Sequence, residues 1–104
     1  METAEPCAPE TRKDQLRAVR SLAERARQNS TVRRELTRML ERVSDQGAAE
    51  VFRAYYLEGQ SAHTLARRFF VDQRTVFKQL LRVCDQLRIM LFGIDALFDL
   101  TGQQ

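Results

Sequence analysis

The stretch "LARRFFVDQRTV" (residues 65–76) sets two adjacent phenylalanines between a pair of arginines and a polar segment led by Asp72. A helix buries one stripe, so two large apolar neighbours face one core only if the chain turns between them. The flanking residues favour a turn. Ser61 is a good N-cap for a short helix from 62 to about 69, and Asp72 is a second N-cap shortly after it. The helix begun by Asp72 is expected from 73 to about 90, because Val76, Leu80, Val83 and Leu87 recur at helical spacing.

Packing assigns a role to each position in this pair of helices. Leu65 and Phe69, four apart, face the core. Ala66 must be small where the second helix crosses, Val71 plugs the turn from below, and Val76 and Leu80 pack the second helix onto the first. A helix of about two turns, a tight turn and a longer helix with an Arg, Lys and Gln face form a helix-turn-helix pattern.

The rest of the chain is helical by the same reasoning. Both prolines precede residue 10 and β-branched residues never form a strand-like run, so an all-α fold is expected. At 104 residues the chain fits one domain, and with 43% hydrophobic residues it should fold. Residues 1–10 read as a disordered tail. A helix from Thr11 to about Gln28 carries Leu16, Val19, Leu22, Ala23 and Ala26, and "NST" (29–31) breaks it. A second helix to about Val43 carries Val32, Leu36, Met39 and Leu40, completing an N-terminal helical pair over 11–43. Residues 44–104 hold the helix-turn-helix and form one compact unit with that pair. Ser44 or Asp45 caps a third helix containing Val51, Phe52, Tyr55 and Tyr56, which ends before Gly59. A last helix, Ile94 to Leu100, is expected beyond Gly93.

Charge is uneven. Net charge is +3, yet residues 61–88 hold six basic side chains (Arg67, Arg68, Arg74, Lys78, Arg82, Arg88) against Asp72 and Asp85, a surplus of four. Such a surface suits a polyanion, although it also suits a solvated helix face. Cys7 and Cys84 lack metal-ligand spacing, no signal-peptide core opens the chain, and no stretch approaches a membrane span. The expectations are a reduced, cytoplasmic setting, no membrane partner, no metal and no cofactor. Enzymatic activity is not expected, since phosphate loop, nucleophile motif and paired acids are missing and His63 is the one histidine. His63 reads as a solvated residue rather than a ligand, and Tyr55 and Tyr56 as core rather than a stacking platform.

"YLEGQSAHTLARRFFVDQRTVFKQLLRVCDQL" (56–87) resembles region four of sigma factors, the promoter-binding helix-turn-helix. Tyr56-Leu57-Glu58-Gly59, Leu65-Ala66, Val71, Thr75-Val76, Leu80 and Leu87 carry the resemblance. The "RRFFVDQRTV" turn and "LFGIDAL" tail are more similar to ArpU-type phage and prophage transcriptional regulators, over roughly residues 44–98. Many members carry glycine at the turn, where a left-handed backbone is cheap; this chain has Phe70. The expectation is a differently built turn, with Phe70 buried against the first or last helix.

The resemblance implies a DNA-binding transcriptional regulator that docks the start of the 73–90 helix in the major groove of double-stranded DNA. Gln73, Arg74, Phe77 and Lys78 would then face base edges, and Arg67, Arg68, Thr75 and Arg82 would contact phosphates. The rival reading is a protein-interaction module that binds RNA polymerase or another regulator. A homodimer is a further expectation, from surplus apolar surface on the two N-terminal helices and on Ile94, Leu97 and Phe98.

Overall fold

A computed structural model describes residues 11–93, and all their regular structure is helical. The order is α1 (Arg12–Ala26), α2 (Ser30–Leu40), α3 (Gln46–Phe52, continuing in a wider π-helical turn over Arg53–Leu57), α4 (Ala62–Phe69) and α5 (Gln73–Phe92). The expected helix over 94–100 lies outside the described residues.

Short polar side chains start each helix by accepting backbone amides that no preceding turn can satisfy. Thr11 takes the amide of Asp14 at 3.0 Å, Ser61 that of Thr64 at 3.1 Å and Asp72 that of Thr75 at 2.8 Å. Asn29 accepts from Thr31 and Val32, so α2 begins at Ser30. Asp45, not Ser44, caps α3 through the amide of Ala48. Ser44 instead exchanges two hydrogen bonds with the Gln86 side chain, which pins α5 to the α2–α3 connection. Gln46 closes α2 from the other side, donating to the carbonyls of Val43 and Leu40 at 2.6 and 3.0 Å.

The five helices share one core. Leu16, Val19, Ala23 and Ala26 of α1 meet Leu36 and Leu40 of α2, Val51 and Phe52 of α3, Leu65 of α4, and Val76, Leu80, Val83 and Leu87 of α5. The α1 and α2 stripes are therefore enclosed within a single chain, except for Leu22, which is half-buried outside this core and lines a pocket with Leu91 and Phe92. That removes most of the surplus apolar surface on which self-association was expected; Ile94, Leu97 and Phe98 lie outside the described residues.

The α4–α5 connection corrects one expectation. Phe69 is half-buried against the core, as its four-residue spacing from Leu65 requires. Phe70 is left-handed (φ 60°, ψ 43°), and it is 94% exposed rather than buried. The amides of Phe70 and Val71 both reach the Ala66 carbonyl, which is the usual way of closing a helix on a left-handed residue. Val71 then folds inward against the core. The turn is thus the ordinary one, built with phenylalanine in the place that favours glycine. The backbone strain is about 1–2 kcal/mol, and no burial of the ring offsets it.

Candidate nucleic-acid interface

α5 owes its orientation to Val76 and Leu80, both buried. At about 100° per residue, Arg74 and Lys78 each lie about 160° round the helix from Val76. Gln73, Arg74 and Lys78 are exposed on the first two turns. Asp72 begins the helix, and its carboxyl is held below the ordinary range by the amide and hydroxyl of Thr75, with Arg74 and Lys78 adding to the effect. An ionised cap at neutral pH suits the positive end of a helix.

The other expected contacts are placed less uniformly. Gln73 lies with its amide nitrogen 3.3 Å from His63 Nδ1, so this side chain already spans from α5 to α4. Thr75 is half-buried and turns its hydroxyl back to Asp72. Phe77 lies about 100° from Val76, half-exposed, with its ring edge-on to Tyr55 at 6.4 Å. Arg82 is bonded to Asp45 at 3.0 Å, tying α5 to the start of α3.

On α4, Arg67 and Arg68 are both exposed in the last turn, beside Phe70. Arg68 reaches Gln60 Oε1 at 3.3 Å and lies over the Phe69 ring at 5.1 Å. Arg88, counted by sequence among the surface cations, is fully buried. It donates to Asp85 at 2.8 Å and to the buried Gln15 at 2.9 Å, while Arg12 holds the same carboxylate from α1. With Arg88 buried and the exposed Arg82 paired to Asp45, the remaining exposed cations of this region are Arg67, Arg68, Arg74 and Lys78, flanking the α4–α5 turn in sequence.

Beside this face runs a groove of about 240 Å³ lined by Arg20, Tyr55, Tyr56, Phe77, Leu80, Leu81 and Cys84. Sequence reading missed Leu81, which is 44% exposed and four residues after Phe77. The available signal was its adjacency to Leu80, the same crowding that marks Phe69 and Phe70. Burial raises the Cys84 thiol to about 11, so it stays protonated at neutral pH. Among the described residues, no cluster of three His, Cys, Asp or Glu side chains could hold a metal ion, and no helix is long and apolar enough to cross a membrane. Compared with protein-family models, curated proteins and solved structures, the chain matches none.

Proposed function

We propose that this chain is a sequence-specific DNA-binding transcriptional regulator, with α4 and α5 acting as a helix-turn-helix of the sigma-region-four kind. The observation that carries the reading is the outer face of α5. Arg74 and Lys78 stand exposed on its first two turns, opposite buried Val76 and Leu80, next to a turn flanked by Arg67 and Arg68. Arg and Lys on such a face suit guanine O6 and N7, and Gln73 suits adenine once it leaves His63. Arg67 and Arg68 suit phosphates, which position the protein without reading sequence. Thr75 and Arg82 are weaker phosphate candidates, since each must first give up a bond to Asp72 or Asp45.

A second reading has its own observation. Phe77 and Leu81 leave an apolar flank on α5, which suits a protein surface such as RNA polymerase better than a phosphate backbone. Selection of bound fragments from random and genomic DNA separates the two. The DNA reading expects enrichment of a defined sequence and an affinity that falls steeply with salt. Arg67→Ala or Arg68→Ala should flatten the salt dependence by about 0.9 per phosphate contact. No enrichment, with a flat salt response, would favour the protein-interaction reading.

A further inference from the structure

Phe70 combines two features that a folded chain does not normally hold together. Its backbone is left-handed, at φ 60°, and it is the one non-glycine residue with positive φ among those described. Its side chain is 94% exposed, so the ring contributes no packing that would make the strain worthwhile. Glycine or asparagine would close α4 with less strain and without an apolar ring in water.

The surroundings of the ring indicate what it meets. Arg67 and Arg68 precede it, Arg74 follows four residues later, and all three are exposed. The nearest acid in sequence, Asp72, is engaged in capping α5. An exposed apolar ring flanked in sequence by three exposed cations and one ionised acid, Asp72, complements a polyanion that has apolar surface between its charges. A DNA duplex has that character: thymine C5-methyl groups and deoxyribose faces lie between its phosphates. The turn adjoins the end of α5 that carries Gln73 and Arg74, the end that enters the groove in the proposed function.

We infer that Phe70 is a DNA-contact residue, its ring seated on the thymine methyl and sugar surface at the groove edge between phosphates held by Arg67 or Arg68 and bases faced by Arg74. The inference rests on the DNA-binding reading above and adds a residue to that interface. It entails opposite effects on folding and binding.

The test pairs thermal melting with fluorescence anisotropy on labelled duplexes, one selected by the wild-type chain and one of random sequence. Phe70→Gly and Phe70→Asn should melt higher, by about 2–5 °C, because the left-handed backbone is relieved. The same variants should bind the selected duplex about tenfold more weakly, whereas Phe70→Tyr should bind like wild type. Wild-type binding by the Gly and Asn variants, with Arg74→Ala weakened, would overturn the role of Phe70 and leave the DNA reading standing. A fall in melting temperature in both variants would also overturn it, by making the ring structural. Unchanged DNA binding with lost affinity for RNA polymerase would transfer Phe70 to a protein contact and defeat the inference. A wild-type chain that binds neither duplex would defeat the DNA reading, and the inference with it.

Discussion

Arg88 can be wholly enclosed only because other side chains meet its guanidinium: Asp85 at 2.8 Å and Gln15 at 2.9 Å, with Arg12 supporting the carboxylate from outside. Removing one member of such a group costs more than the group contributes as a whole, because a buried charge loses its counterion. Asp85→Ala should therefore destabilise the fold by about 3 kcal/mol, whereas replacing Arg88 and Gln15 together by Met and Leu, which strands no buried partner because Asp85 keeps Arg12, should change it by about 1 kcal/mol or less. Urea denaturation distinguishes the two, and equal losses would contradict this account. The same carboxylate gives a pH dependence. Partial burial pushes the Asp85 carboxyl up, but Arg12 and then Arg88 outweigh it, so its net pKa lies below the ordinary value. Its contribution is thus complete above the unfolded value of about 4 and is lost as pH falls through the depressed folded value. Acid unfolding of Asp85→Ala should be correspondingly flatter below about pH 4. Little of this was legible in the sequence. Asp85 and Arg88 are three apart, a common surface pairing, and only the crossing of α1 encloses one of them.

At the scale of elements, helix starts were legible and several ends were not. Thr11, Ser61 and Asp72 announce their helices through local chemistry, and each makes the expected amide bond. α1 stops at Ala26 and α2 at Leu40, two and three residues before the expected limits, while α5 runs two residues further to Phe92. Two of those limits depend on side chains beyond the helix itself: Gln46 closes α2 from six residues on, and the end of α5 lies beside α1, where Leu91 and Phe92 line a pocket with Ala18 and Leu22. The π-helical turn over Arg53–Leu57 has no mark in composition. It leaves Tyr56 buried and Tyr55 half-buried, their rings edge-on at 4.9 Å, with Tyr55 continuing to Phe77. Gly59 ends the segment with φ +76°, and a Cβ there would lie 2.6 Å from Arg27 Nη2. The Arg27 side chain can move aside but the backbone angle remains, so Gly59→Ala should cost about 1–2 kcal/mol. A denaturation midpoint equal to wild type would show that this turn relaxes freely.

For the whole molecule, the enclosure of α1 and α2 in the core shared with α5 decides what can be separated. A fragment of residues 44–104 would expose the face of α5 that α1 and α2 pack against in the shared core. It should show little cooperative unfolding by circular dichroism, and a sharp transition in the fragment would contradict the single core. The all-α class and the placement of Arg74 and Lys78 opposite the core were legible because both follow from helical period and caps. The burial of Arg88, the tie of Arg82 to Asp45 and the exposure of Phe70 were not, because each depends on how elements meet. The central claim is that the exposed face of α5 reads DNA. Its most direct test is anisotropy of the wild type, Arg74→Ala and Lys78→Ala on the selected duplex and on a scrambled one, once circular dichroism has shown each variant folded. The account predicts a loss of about 1–3 kcal/mol for Arg74→Ala on the selected duplex, with relaxed preference over the scrambled one. If both variants keep wild-type affinity and preference, α5 does not read the groove.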